Sequence, residues 1–334
     1  MISFPIQIFF LGLLTAAAGA FVTATWHDLS TIHHFLIPIL VSLPYVFTYL
    51  CSSYTSHQIT PSNHAEQMIH YPFDHILFHP GQTCRTCRFE KPARSKHCSI
   101  CKVCVARSDH HCIWVNTCLG RGNYKYFLYL LISITALLVY GVYLSYIVLS
   151  PLVREHFAHW PAYHTVQLPT WAVNWPWPFS PLLFAILQAA DILTIALQLG
   201  GISIAAVGLL ALMTAPLPLG LLAYHVYLIW AGTTTNESSK WADWRDDMYD
   251  GCVFLGHIKP GSEVDFAALR SSWPVRSRQL LLRTSDGEAP RTLPEVVRCV
   301  MDEDRGWERC WRLASVENLY DLGWWENLGE VLKN

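Results

Sequence analysis

The stretch CRTCRFEKPARSKHCSICKVCVARSDHHCIWVNTC, Cys84–Cys118, decides how the rest of this chain is read. Its metal-ligand types recur at an offset of fourteen residues. The first set is Cys84, Cys87, His97 and Cys104; the second is Cys98, Cys101, His111 and Cys118, with the same internal spacings. Each set supplies three thiolates and one imidazole, the donor set of a closed tetrahedral zinc site. The second set begins before the first ends, so the two sites interlock. A closed site has no open coordination position, so two structural Zn2+ ions are expected rather than a catalytic metal. The stretch is poor in apolar residues, and metal would take the place of a core too small to build.

Continuing the period strands one thiol. Fourteen residues beyond Cys98 stands Cys112, but a third set would need a cysteine at 115 and a histidine at 125, and the chain has Val115 and Lys125. Cys112 is therefore a thiol without coordination partners, held between His111 and Cys118. Its neighbours in Asp109-His110-His111-Cys112 suit nucleophilic chemistry: His110 can take the thiol proton and Asp109 can fix its tautomer. A Zn2+ with three thiolates carries net charge of about −1, so the metal would not activate Cys112 and the base must. Spacing alone leaves a second reading open, in which His110 caps a turn and Cys112 is inert.

Outward from this stretch the chain is apolar. Of 334 residues, 52% are hydrophobic and only 14% charged, too apolar for an ordinary soluble domain. Net charge is −2, and the basic loop lies between apolar runs, so no nucleic-acid partner is expected. Residues 2–26, 35–54 and 124–150 are each long enough to cross a bilayer. The fifty or so residues of 182–232 are broken by Gly200-Gly201. Two crossings there would put the basic tail opposite the basic Cys-rich loop, against the distribution of Lys and Arg. One crossing, about 202–231 with a kink at Pro216 and Pro218, satisfies it. The polar stripe Gln188, Asp191, Thr194 and Gln198 makes 182–199 a helix on the lumenal interface or an extension of the last span. The expected fold is an α-helical integral membrane protein: four transmembrane helices with a small cytosolic zinc-binding Cys-rich domain between spans two and three. Its parts are 1–54 (spans one and two), 55–123 (cytosolic loop, zinc domain 84–123), 124–232 (spans three and four with a Trp-rich lumenal loop 151–180 holding Trp160, Trp171, Trp175 and Trp177), and a cytosolic tail 233–334. Cys51, Cys252, Cys299 and Cys310 read as packing or surface thiols, and Asp191 as solvated at the interface.

These residues resemble the DHHC protein S-acyltransferase family. The resemblance runs from Cys84 to Phe127 through Lys91-Pro92, Arg94, Asp109-His110-His111-Cys112, Trp114-Val115-Asn116 and Asn123-Tyr124-x2-Phe127. It resumes at Thr234-Thr235-Asn236-Glu237, like the family's T-T-x-E motif, and at Asn318-Leu319-Tyr320-Asp321-Leu322-Gly323. Ile113 stands where proline is common and Thr117 where a second asparagine is common. The short form and the ending Asn318 to Asn334 look most like the fungal branch that acylates SNAREs and other single-span proteins.

The resemblance implies an acylated Cys112, with His110 as base and Asp109 as its partner. It implies that a threonine of Thr234-Thr235 reaches Asp109, that Glu237 organises that turn, and that Asn318 and Tyr320 pack the tail against the spans. Lys91 and Arg94 become candidates for CoA phosphates, and Trp114 covers the acyl chain. The donor would be acyl-CoA, such as palmitoyl-CoA. The acceptors would be juxtamembrane cysteines of membrane proteins, SNAREs among them, and the setting a multi-pass protein of the endoplasmic reticulum membrane with both termini and the site cytosolic. A zinc-structured scaffold and a RING-like ubiquitin ligase are the competing classes. The spare thiol behind Asp109-His110 argues against the first, and the narrow ligand spacing against the second.

Overall fold

In a computed structural model of the chain, the described residues are 4–160, 179–259, 273–291, 301–302 and 304–333. The expected positions Trp171, Trp175, Trp177 and Cys299 lie outside them. The described residues fall into two compact units, one within 48–128 and 223–334 and the other within 2–47 and 129–222.

Among the described residues, four helical stretches are long and apolar enough to span a membrane: Pro5–Thr25, Thr31–Ser53, Tyr124–His159 and Phe179–Trp230. They include α1 (Phe4–Thr25), α2 (Thr31–Ser53) and α4 (Tyr124–His159). The short α3 (His64–Met68) lies in the loop after α2. The fourth stretch is one run of 52 residues, so 182–199 extends the last span. It is made of α5 (Phe179–Gly201), a π-helical turn (Ile202–Ala206), α6 (Val207–Thr214) and α7 (Pro216–Trp230). The break at Gly201, in left-handed backbone (φ 56°), precedes the π turn. α6 and α7 meet at Ala215, where Pro216 and Pro218 withhold two helix donors. Ser145 Oγ of α4 donates to the carbonyl of Ile204 in the π turn (3.5 Å). Gly208 admits the close approach of Ser145, since a Cβ there would collide with its side chain. Asp191 is half-buried on α5.

The Cys-rich stretch folds as three small antiparallel pairings laid down at the period of the sequence. Thr83 bridges Glu90. His97 pairs with Cys104 between β2 (Lys96–Cys98) and β3 (Val103–Val105), to which β1 (Gln58–Ile59) adds a third strand. His111 pairs with Cys118 between β4 (His111–Cys112) and β5 (Thr117–Cys118). Each tip turns through a left-handed residue at the same place: Arg88 (φ 65°), Lys102 (59°) and Asn116 (53°). The third hairpin thus keeps the backbone of the two metal-binding tips although Val115 has replaced the second ligand.

The tail, which the sequence left unassigned, packs on this unit. α8 (Thr235–Tyr249) leads into an antiparallel sheet in the order β7-β6-β8: β6 (Val253–His257) in the centre, β7 (Gln279–Arg283) and β8 (Glu308–Arg309) at its edges. α9 (Trp324–Lys333) follows. Met68, Tyr71, Phe73, Ile76 and Leu77 from the loop share a core with Met248, Val253, Leu281 and Tyr320 from the tail. Gly232, just past α7, makes the return possible. Its φ is 63°, and a Cβ there would sit 2.5 Å from Asp321 Cα. Gly232→Ala is expected to cost at least about 1–2 kcal/mol from backbone strain alone and to lower the Tm of the detergent-solubilised protein by several degrees. An unchanged Tm would show that this close approach does not matter.

Candidate active site

The first ligand set brings its four donor atoms within 4.8 Å of one another, and so does the second. In the first, His97 Nδ1 lies 3.4 Å from Cys87 Sγ and 3.8 Å from Cys104 Sγ. In the second, His111 Nδ1 lies 3.8, 3.3 and 3.6 Å from the sulfurs of Cys98, Cys101 and Cys118. A tetrahedral Zn2+ with bonds of about 2.3 Å to sulfur and about 2.0 Å to nitrogen needs edges of about 3.5–3.8 Å. The donors therefore fit such an ion in both number and spacing. Backbone amides of Cys87 and Cys101 donate to Cys84 and Cys98 sulfurs, each at 3.4 Å, which favours thiolates at those positions. Cys112 belongs to neither set.

Asp109 is the hub of the neighbouring group. Its carboxylate is 1% exposed and accepts from three donors. Thr235 gives its N–H to Oδ1 (2.8 Å) and its hydroxyl to Oδ2 (2.9 Å), and His110 Nδ1–H gives to Oδ2 (2.6 Å). Thr234 holds the preceding residue, donating from Oγ1 to Ser108 O (3.0 Å). The same threonine caps α8 in a reciprocal box with Glu237, its N–H donating to Glu237 Oε2 (2.9 Å). Burial resists charge on Asp109, but His110, His225 and the Thr235 amide hold its carboxyl below the usual carboxylate range. Burial likewise opposes an imidazolium at His110, yet the Asp109 hydrogen bond and the Cys112 thiol overcome it and push the group up to about 9. An imidazole that donates from Nδ1 to a carboxylate keeps Nε2 for a proton from a thiol. Cys112 itself is 5% exposed on β4, while Ile113 and Trp114 at the hairpin tip are 42% and 50% exposed.

Arg94 is not where a CoA contact would have to be. Its side chain is fully buried, with Nε and one Nη on Glu237 (2.7 and 2.6 Å) and a further bond to Gly232 O (3.1 Å). The rings of Tyr320 and Tyr71 pack against it, with centroids 4.4 and 5.2 Å from its central carbon. The expectation that it meets phosphate is corrected: the guanidinium is consumed by a carboxylate 143 residues away in sequence. Glu330 of α9 completes the group, pairing with Arg107 at 3.1 Å and Arg94 at 3.7 Å. Asn318 donates to Ala231 O at the end of α7 (2.9 Å), and Tyr320 Oη to Pro72 O (2.8 Å).

Lys91 instead lines a cleft of about 340 Å3 together with Lys96, Lys240, Gln82 and Asn236. Asn236 is 6% exposed, and its Nδ2 has no partner. It follows Thr235 directly, so the cleft and the Asp109 hub share the start of α8. The sequence reading missed Lys96, Lys240 and Asn236, and also His225, which is 1% exposed and gathered with Asp109 and His110. His225 is the one histidine in the apolar run 182–232, and a polar group inside a span was the available signal.

Residues 77–242 match the DHHC palmitoyltransferase family. The chain is 41% identical to Palmitoyltransferase swf1 of Emericella nidulans over 98% of its own length and 79% of that protein. It is 39% identical to Palmitoyltransferase SWF1 of Neurospora crassa over 98% of its length and 74% of that one. This chain belongs to the DHHC palmitoyltransferase family. A shorter match, 43% over 31% of the chain and 30% of the relative, joins it to mouse Palmitoyltransferase ZDHHC4. The chain is thus a multi-pass membrane protein S-acyltransferase, and within the family it is similar to the fungal swf1 proteins.

The Arg94–Glu237 pair gives a direct test of this architecture. Glu237→Gln removes the nearer of the two carboxylates from the buried guanidinium and leaves only Glu330 at 3.7 Å, a loss of up to about 3–5 kcal/mol. It also removes the carboxylate that caps Thr234. A marked fall in Tm with loss of acyl transfer is expected. A variant as stable and active as the parent would mean that the pair does not hold the turn that carries Thr235.

Proposed function

We propose that the enzyme moves a long-chain acyl group from acyl-CoA to cysteines of membrane proteins through an acyl-Cys112 intermediate. The observation that carries this reading is the Asp109–His110 hydrogen bond beside a thiol that the metal sets leave unused. Cys112 Sγ bonds to the acyl carbon and the CoA carbon–sulfur bond breaks. The thiol proton passes to His110 and on to the CoA sulfur. In the second half-reaction a substrate thiol attacks, and His110 moves its proton to Cys112 in turn. Each step exchanges one thioester for another, so ping-pong kinetics are expected. Asp109 holds the imidazole in the tautomer that leaves Nε2 for the proton, Thr235 holds Asp109, and Thr234 holds Ser108 before it.

The two Cys3His sets would each hold a Zn2+, which supplies structure and not chemistry. For CoA, the lysines of the cleft offer charge to phosphates, and the unpartnered Asn236 amide offers a donor. Lys91 keeps its proposed role and Arg94 gives up the one first assigned to it. Trp114 with Ile113 offers apolar surface to the acyl chain. Each buried CH2 favours hydrocarbon by about 0.8 kcal/mol, which supports a site at the membrane face, and the Lys and Arg of the Cys-rich loop and tail support placing that face and both termini on the cytosolic side. Acceptor cysteines must then lie within reach of the bilayer surface, beside a transmembrane helix. SNARE-type substrates and residence in the endoplasmic reticulum follow from the resemblance to the fungal branch.

Purified protein incubated with a clickable palmitoyl-CoA tests the reading. Wild type is expected to take label in a hydroxylamine-sensitive bond, and Cys112→Ser to take none while keeping two zinc ions per chain. Cys87→Ala should lose zinc and its thermal transition together. Lys91→Glu should raise KM for palmitoyl-CoA several-fold. Thioester label on Cys112→Ser, or loss of zinc from it, would overturn the assignment.

A further inference from the structure

His225 takes no step in the transfer described so far, yet it is built into the site. A nitrogen of its ring lies within 4.8 Å of an Asp109 oxygen and of a His110 nitrogen. Its ring stacks on that of His110, centroids 5.9 Å apart and planes 28° from parallel. Phe127 closes the corner edge-on, 5.7 Å from His110 and 5.1 Å from His225. The orientation of His225 is fixed in turn by a hydrogen bond between its Nδ1 and Tyr124 Oη (2.7 Å). His225 and Tyr124 are 1% and 3% exposed. Burying an imidazole costs free energy unless it is hydrogen-bonded, and an aliphatic side chain could fill the same space without that requirement. What an aliphatic side chain would not supply is a flat wall whose rotation is set from the far side. His110 itself is tethered by one strong bond, Nδ1 to Asp109, about which the ring can still swing. A plane laid against it removes that freedom.

We propose that His225, locked by Tyr124, is a positioning residue for the transfer reaction: it holds the His110 imidazole in the plane that points Nε2 at Cys112. The inference rests on Cys112 and His110 acting as above. It adds a residue from the last span to a site otherwise made by the hairpin and the start of α8. A displacement of about 1 Å in a reacting group can cost up to about a hundredfold in rate.

The test is the rate of Cys112 acylation by palmitoyl-CoA in the purified full-length enzyme, with kcat and KM separated. His225→Ala is expected to lower kcat by about ten- to a hundredfold, with KM within about twofold and both zinc ions retained. Tyr124→Phe, which removes only the hydroxyl, should lower kcat about three- to tenfold. The double variant should be no slower than His225→Ala, because Tyr124 acts through His225. His225→Asn, which keeps an acceptor for the Tyr124 hydroxyl, should recover part of the loss. A kcat within about twofold of wild type in either single variant, or a loss that falls on KM, would overturn the proposal. Should His225→Ala not fold, Tyr124→Phe decides by the same criterion. Wild type is measured alongside: if it fails to acylate, the reading of Cys112 fails, whereas wild-type acylation with unaffected variants sinks the role of His225 alone.

Discussion

A carboxylate sealed from water at Asp109 is the group around which this unit is arranged. Ionised in a buried site, it must be met by donors, and the chain brings them from two places, one adjacent and one distant. His110 arrives from the same hairpin, and Thr235 comes from the first turn of α8, 126 residues on. Meeting that need ties the strand carrying Cys112 to the end of the last span. It also orients the imidazole beside the thiol. Structure and chemistry thus share one constraint: the bonds that make Asp109 tolerable are the ones that aim His110.

A second buried charge, Arg94, repeats the logic on the stabilising side. Its partners come from the turn after α7, from α8 and from α9. With no water to solvate it, the guanidinium is satisfied only if all three elements are in place. The tail is therefore not an appendage. Gly232, Asn318 and Tyr320 bring it back to the loop, and Glu330 closes the cluster over Arg107.

What could be read in the sequence was what is local. Metal ligands at C-x2-C spacing sit on the tips and bases of short hairpins, so a fourteen-residue period in the letters became a fourteen-residue period in strand pairing and in left-handed turns. Asp109 and His110 were legible because they adjoin that lattice. The spans were legible from length and hydropathy, and of the two readings left open for 182–199 the helix joined to the last span through a π turn is the one seen. Arg94 was misread because nothing within its own loop shows that Glu237 will bury it. His225 and the lysines of the cleft were missed for the same reason, since each gains its meaning from a residue far away in sequence. The tail sheet carries no spacing signal of its own.

In the proposed function one thiol stands among neighbours that would hold metal, and thioester exchange on it would need that thiol unmetallated. The most direct measurement is peptide mapping by mass spectrometry after a single turnover of the zinc-loaded protein with palmitoyl-CoA. The account predicts the palmitoyl mass on the peptide holding Cys112, removable by hydroxylamine, with the six cysteines of the two ligand sets unmodified. A palmitoyl thioester on any of those six, with Cys112 unlabelled, would contradict it.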